Sequence, residues 1–210
     1  MKRFHPQLKV KNPGENTGFS KALFNISSTV IKYDSPPAME AIKIKNMGSS
    51  HWPRVKAIYE NGIATGHATF ETTAPNWEIW DRDHLKFARL IALVNKDIVG
   101  WAALSPVSGR CVYGGVAEVS LYVAEGARGL GIGKKLMEHL VTLSEENGIW
   151  TLQAGIFPEN IPSVQLHVKA GFRIIGKREK IGKLNHIWRD SLLLEKRSSK
   201  VGIAEELNPL

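Results

Sequence analysis

The stretch Ala127-Arg128-Gly129-Leu130-Gly131-Ile132-Gly133-Lys134-Lys135 constrains this chain more than any other. It follows an apolar run, Val116–Val123, and opens a helical pattern with Leu136, Leu140 and Leu143 on one side. Closely spaced glycines let the backbone turn tightly and bring several N–H groups to one point. The helix N-terminus adds a partial positive charge, and Arg128, Lys134 and Lys135 add full ones. A strand, a glycine turn and a helix in this order make a cradle for a phosphate or pyrophosphate. The same unit demands neighbouring strands, and hence an α/β architecture.

Several loops share this general form. A Walker A loop needs glycine, four residues, then Gly-Lys-Ser/Thr. Here Lys135 follows Gly133-Lys134 and Arg128 occupies the glycine position, so that reading fails twice. A dinucleotide loop needs G-x-G-x-x-G, but Lys134 stands three residues after Gly131. The pattern that fits is Arg/Gln-x-x-Gly-x-Gly/Ala, spelled by Arg128, Gly131 and Gly133. A plain glycine turn with no ligand is the competing reading.

The rest of the chain places this unit within a domain. Ser35-Pro36-Pro37 stops any helix or central strand, and Ala41–Lys45 then alternates as a strand does. The expected domain therefore starts near Met39 and runs through residue 196. Residues 1–38 form a basic arm, and residues 197–210 a polar tail. Ser49 or Ser50 ahead of Pro53 reads as a helix opening capped by a hydroxyl, with Asn61-Gly62 ending or bending the helix. Helical spacing returns over 76–87. Runs at 89–95 and 98–104 flank Lys96-Asp97 as a hairpin. A helix over 133–146, a strand over 150–156, a helix over 160–170 and strands over 172–179 and 185–195 complete the order. That order predicts a mixed, largely antiparallel sheet of six to seven strands with about four helices, not a doubly wound dinucleotide fold.

Charge and cysteine content narrow the partners. The formal net charge is +8, but the first 38 residues carry six basic against two acidic residues, leaving 22 against 18 elsewhere. The domain itself is only mildly basic, which argues against nucleic acid as its ligand. A basic, acid-poor leader is a further reading of residues 1–33, weakened by the single arginine there. Cys111 is the only cysteine, so no internal disulfide exists, and a reducing, cytoplasmic setting is expected. No apolar run is long enough to span a bilayer, and none of the histidines shows metal-ligand spacing, so neither a membrane nor a metal is expected.

The glycine turn resembles the acetyl-CoA-binding loop of the GCN5-related N-acetyltransferase (GNAT) superfamily. A second segment, Asn160 to Phe172, resembles that family's Asn-x-x-Ser-x-x-x-Tyr-x-x-x-Gly-Phe pattern through Asn160, Ser163, His167, Gly171 and Phe172. The resemblance is closer to the phosphinothricin acetyltransferase-like branch. It rests on Phe70 ahead of Thr72 and Pro75, on Arg110, Tyr113 and Glu118, on His in the Tyr position at His167, and on Trp188 before Asp190. It covers about residues 40–195. Where several members have a second basic residue before the arginine, this chain has Ser108, which leaves the exact acid substrate open.

The resemblance implies a GNAT fold with central strands splayed around acetyl-CoA. It also implies a small-molecule amine substrate and a homodimer. Cofactor contacts would come from Leu121, Tyr122, Val123, Arg128, Gly129, Leu130, Gly131, Ile132, Gly133, Lys134, Asn160 and Ser163. Glu118 is the candidate base: an acid in an apolar strand is expected to be partly buried with a raised pKa. Alternation sets Glu118, Ser120 and Tyr122 on one face, and Ala117, Val119, Leu121 and Val123 on the other. His167 can protonate the leaving thiolate or assist the base through water. Arg110 and Tyr113 can grip an acidic group, and Phe70 can wall the amine pocket. With no Cys–His pair in the pattern, direct transfer in a ternary complex is expected, to the amino group of a small amino acid or analogue. The alternatives are acetylation of a protein N-terminus or a polyamine, and, from another class, a non-catalytic acetyl-CoA-binding or nucleic-acid-associated module.

Overall fold

The computed structural model describes residues 41–203, so the expected arm over 1–38 and the end of the chain after 203 lie outside the described residues. Seven strands form one sheet in the order β1-β2-β3-β4-β5-β7-β6: β1 Lys43–Asn46, β2 Leu90–Val94, β3 Asp97–Pro106, β4 Val116–Val123, β5 Thr151–Ile156, β6 Arg173–Leu184 and β7 Ile187–Arg197. Only β4 and β5 run parallel; every other pair is antiparallel. Four helices flank the sheet: α1 Trp52–Ala64, α2 Trp77–Asp83, α3 Ile132–Glu146 and α4 Ile161–Lys169. The expected architecture is the observed one.

Both faces of the sheet are covered, and the two cores differ in character. On one face Leu90, Ala92, Ala102, Leu104, Ala117, Leu152 and Ala154 meet Ile132, Leu136, Met137 and Leu140 of α3. Those helix residues recur at three to five positions, so a single stripe is buried. On the other face Ile91, Trp101 and Ala103 meet Val55 and Ile58 of α1 and Trp80 of α2. This second core is aromatic: Tyr122 stacks on Trp101 at 4.8 Å, and Tyr59 lies 4.8 Å from Tyr122.

Local expectations are refined at several points. No serine hydroxyl caps α1; a 3-10 turn over Ser49–His51 precedes it, and the Gly48 N–H donates to His51 Nδ1 at 2.9 Å. Asn61-Gly62 does not end α1, which continues to Ala64. The glycine is there for room, since a Cβ at position 62 would stand 2.7 Å from the Tyr122 ring. The β2–β3 hairpin turns through Asn95 and Lys96, both with positive φ, and β6 and β7 are longer than their apolar cores suggest. Residues after β7 are fastened as far as Gly202: Arg197 donates to the carbonyls of Trp150, Val201 and Gly202, and Ser198 and Lys200 meet Glu145.

Candidate active site

The sheet opens at its centre. β4 pairs with β5 only through Val116–Thr151, Ala117–Leu152 and Glu118–Gln153, whereas β3 pairs with β4 all the way to Val123. From Val119 to Val123 the β5 side of β4 is therefore an unpaired edge. Exposed strand edges offer N–H and C=O groups to whatever lies alongside. Leu121 and Val123 pack towards the α3 core, while the side chain of Tyr122 is spent on the aromatic core of the other face. Only the backbone of Tyr122 remains for a ligand in the cleft.

At the far end of this edge stands the glycine turn. Gly129 and Gly131 have φ of 78° and 80°, a left-handed conformation that L side chains adopt only with strain. Gly131 is the N-cap of α3, and no side chain caps the helix. The first-turn amides of Ile132, Gly133 and Lys134 are thus free, as at any helix start. A Cβ built at Gly129 or Gly131 would meet nothing within 4 Å, so the turn faces open space. Arg128, Leu130 and Lys134 are exposed around it, and Lys134 lies 3.8 Å from Glu138. Free amides with exposed cations around them make a turn of the kind that binds phosphate groups.

Glu118 sits where the β4–β5 pairing ends, on the face shared with Ser120 and Tyr122, as alternation requires. The expectation that it is partly buried is overturned: its side chain is exposed. The reason lies in its neighbour, Gly155, which has no side chain to cover it. A Cβ on Gly155 would stand 3.4 Å from Glu118 Oε1 and 3.5 Å from Ser191 Oγ. The carboxylate and the Ser191 hydroxyl therefore flank one bare patch of backbone.

His167 is buried on α4, 4% exposed, with its ring edge-on to Phe172 at 5.0 Å. Its Nδ1 lies 2.8 Å from the Ser163 carbonyl oxygen. A carbonyl only accepts, so Nδ1 carries the hydrogen and the neutral ring leaves Nε2 as a bare acceptor. That Nε2 is buried with no partner among the described residues. Burial pushes the imidazole below its ordinary pKa, and the Ser163 carbonyl pulls it partly back. The neutral ring therefore offers Nε2 as a hydrogen-bond acceptor and holds no proton there to donate.

Asn160 caps α4, its Oδ1 accepting the Ser163 N–H at 3.3 Å. Its Nδ2 donates to the His67 carbonyl at 3.1 Å, in the loop between α1 and α2. Both ends of this side chain are committed to the protein. That same loop carries Phe70, 37% exposed, edge-on to Phe157 at 4.7 Å. Arg110 and Tyr113 are exposed in the β3–β4 connection, with the guanidinium 5.7 Å from the phenol ring. Ser108 accepts the Arg110 N–H at 3.2 Å. The structure does not bring Arg110 and Tyr113 into contact with Glu118 or Phe70.

Sequence reasoning missed Phe157, Gly182, Arg189 and Ser191, which line or support the face that bears Glu118. Trp188 and Asp190 were legible as a pair; the arginine between them is the one whose side chain turns inward. A groove of about 540 Å³ between β1 and α3, lined by Ile44, Leu90, His139 and Leu143 among others, holds none of the residues named for chemistry. Among the described residues, no group of three or more His, Cys, Asp or Glu side chains is placed to hold a metal. No described helix is long and apolar enough to cross a membrane.

A sheet opened beside an exposed carboxylate, with a glycine turn at the head of the cleft, can hold a phosphate-bearing donor next to a base. The sequence profile of the Acetyltransferase (GNAT) family matches residues 52–172, and the chain belongs to this family. A Bacillus subtilis protein provisionally named phosphinothricin acetyltransferase YwnH is 33% identical over 123 residues, 56% of this chain and 76% of that protein. The L-methionine sulfoximine/L-methionine sulfone acetyltransferase of Pseudomonas aeruginosa is 25% identical over 161 residues, 72% of this chain and 92% of that protein. Among solved structures, the ribosomal-protein-alanine N-acetyltransferase of Brucella melitensis superposes with a TM-score of 0.69 at 29% identity, covering 74% of this chain and 99% of that one. A phosphinothricin acetyltransferase from Sinorhizobium meliloti, solved in complex with acetyl-CoA, shares the fold with a TM-score of 0.71 at 24% identity, over 78% of this chain and 92% of that one. Membership of this family makes the protein an acetyltransferase.

Proposed function

We propose that the chain acetylates the α-amino group of a small amino acid or amino-acid analogue of the phosphinothricin or methionine sulfoximine kind, by direct attack in a ternary complex. The observation that carries this reading is Glu118, an exposed carboxylate at the mouth of the splay, on the aromatic face of the sheet. The amides of Gly129 to Lys134, with Arg128 and Lys134, hold the donor pyrophosphate. The open edge of β4 from Leu121 to Val123 pairs with the pantetheine arm, which brings the thioester carbonyl to the level of Glu118. Glu118, directly or through water, takes the proton of the acceptor ammonium. The amine nitrogen then bonds to the carbonyl carbon, the C–S bond breaks, and the thiolate leaves with a proton from solvent or from the nitrogen. His167, with Nδ1–H fixed on Ser163 and Nε2 buried, is assigned to holding α4 beside the cleft rather than to supplying the proton.

Phe70 walls the acceptor side. Arg110 and Tyr113 are assigned to the acidic end of the acceptor; they reach it only if substrate or a second subunit closes the distance. A homodimer fits the outermost hairpin, on which Ile174, Ile175, Ile181, Ile187 and Trp188 are each 46–65% exposed. Patches of this kind mark protein–protein surfaces. The single cysteine fits a reducing, cytoplasmic compartment. The 29% identity to a ribosomal-protein-alanine N-acetyltransferase favours a second reading, acetylation of a protein N-terminus. An acetyl-CoA consumption assay over free amino acids, phosphinothricin, methionine sulfoximine, polyamines and an alanine-starting peptide separates them. Turnover on the peptide or polyamines with none on the amino acids overturns the first reading.

A further inference from the structure

The α1–α2 loop that presents Phe70 has little of its own to hold it. Its internal bonds are short-range: Thr65 Oγ1 donates to the Gly62 carbonyl and accepts the His67 N–H, and Thr69 Oγ1 accepts the Glu71 N–H. Such bonds shape a turn but do not fix where it lies on the protein. That placement comes from far along the chain. Arg189, on β7, donates Nη1–H to the Gly66 carbonyl at 3.2 Å across 123 residues. The same guanidinium lies 4.5 Å over the ring of Phe157 and 3.5 Å from Glu159 Oε1, and its side chain is only 16% exposed.

Three geometric demands meet in that one group. The flat face lies on the phenyl ring, an edge N–H reaches the loop carbonyl, and a second edge N–H faces a carboxylate. A planar fork satisfies all three together; a lysine ammonium has no face to stack and one point of charge. Phe157 in turn meets the edge of Phe70 at an interplanar angle of 89°. On the neighbouring strand Gly182 is the register partner of Arg189. A Cβ at position 182 would stand 2.8 Å from Phe70 Cε1. The loop is therefore gripped from two sides by cross-strand neighbours, one supplying a guanidinium and the other supplying space.

We infer that Arg189 is a positioning residue for the acceptor: by holding the Gly66 carbonyl and the Phe157 ring, it fixes Phe70 as a wall of the amine pocket, and Gly182 sets how closely that wall approaches the hairpin. The inference rests on the assignment of Phe70 to the acceptor pocket. It makes acceptor selection depend on the β6–β7 hairpin, which lies outside the donor cradle.

The test is steady-state kinetics on Arg189→Ala, Arg189→Lys, Gly182→Ala and Phe70→Ala. L-methionine sulfoximine and phosphinothricin serve as acceptor probes, with acetyl-CoA varied separately. Hydrogen exchange is followed over residues 65–71. Arg189→Ala is expected to raise acceptor KM roughly tenfold or more while leaving acetyl-CoA KM and Tm in place, since small misplacement of a positioning group is costly. Exchange should quicken over 65–71 and nowhere else, and Arg189→Lys should fall between. Gly182→Ala, which leaves Arg189 intact, should shift the ratio between the two acceptors. If Phe70→Ala raises acceptor KM but Arg189→Ala and Gly182→Ala do not, the inference is overturned and the pocket assignment stands. If Phe70→Ala leaves acceptor kinetics untouched, the pocket assignment fails and takes the inference with it. A general fall in Tm with both KM values rising together in Arg189→Ala makes the arginine a residue of the fold. Should that variant not fold, Gly182→Ala decides alone.

Discussion

The two ends of the cleft are built from different materials. The donor end is made of backbone: left-handed glycines, first-turn amides of α3 and an unpaired edge of β4, all within residues 118–134. The proposed acceptor end draws on four separated segments. Phe70 comes from the α1–α2 loop, Phe157 and Asn160 from the β5–α4 connection, Gly182 from β6, and Arg189 with Ser191 from β7. A backbone cradle is specified locally and tolerates change in the side chains around it. A wall assembled over long range can be re-aimed by a single substitution. One end is thus suited to a constant donor and the other to a varying acceptor.

Glu118 stands at the junction, and its replacement gives the largest effect. Glu118→Gln keeps the size and removes the basic oxygen. Turnover is expected to fall by about 10²–10⁴, the usual worth of a general base, with acetyl-CoA affinity unchanged in a titration. A full pH profile that matched the parent enzyme would remove Glu118 from the reaction. Next comes the donor end. Gly131→Val forces a branched side chain into a left-handed N-cap, at a cost of about 1–2 kcal/mol, and tilts the first-turn amides. The expected signature is a rise in acetyl-CoA KM with acceptor KM unchanged. Loss of both together would show that the two ends are not separable.

What the sequence made legible follows the same division. The order of elements, the mixed and largely antiparallel sheet and the glycine turn were all readable, because period-2 and 3.6-residue patterns and glycine punctuation are local signals. The face occupied by Glu118 was also readable, because strand alternation fixes it. Its exposure was not. That depends on Gly155, a residue of another strand whose lack of a side chain carries no periodic signal. Arg189 was hidden for a similar reason: within Trp188-Arg189-Asp190 every residue is polar or aromatic, so the local pattern does not mark which of them turns inward. The helix boundary at Asn61-Gly62 misleads for the opposite reason. There a glycine serves the packing of Tyr122 and not the end of a helix.

Asn160 links the two ends and allows a finer cut. Its Oδ1 caps α4, while its Nδ2 holds the His67 carbonyl. Asn160→Asp preserves the cap, and a carboxylate at a helix N-terminus is favourable. It removes the Nδ2 donor to the His67 carbonyl and sets two acceptors against each other. Acceptor KM is expected to rise several-fold, by the loss of one hydrogen bond of about 1 kcal/mol, with Tm and acetyl-CoA KM held. Asn160→Ala, which loses both contacts, should also lower Tm. Equal behaviour of the two variants would mean that the cap, and not the loop, is what Asn160 serves.

The smallest effect is one of stability. The pKa of His167 lies below its ordinary value because burial disfavours the charged ring, and the Ser163 carbonyl offsets this only in part. The unfolded chain therefore takes up a proton before the folded one does as pH falls. Stability from this group is fully present above the ordinary value near 6.5 and is lost as pH drops through it towards the lower folded value, at no more than about 1.4 kcal/mol for each pH unit. His84, stacked 4.1 Å from Trp80, also has its pKa lowered by burial and adds a slope of the same sign. Thermal melts from pH 7.5 to 5.0 should show Tm falling in the parent. The fall should be shallower in His167→Gln, whose amide can still donate to Ser163, and shallower again when His84 is replaced too. A His167→Gln profile running parallel to the parent would mean that the ring gains its proton without penalty, from a group or a water reaching Nε2. The acceptor end would then extend as far as α4.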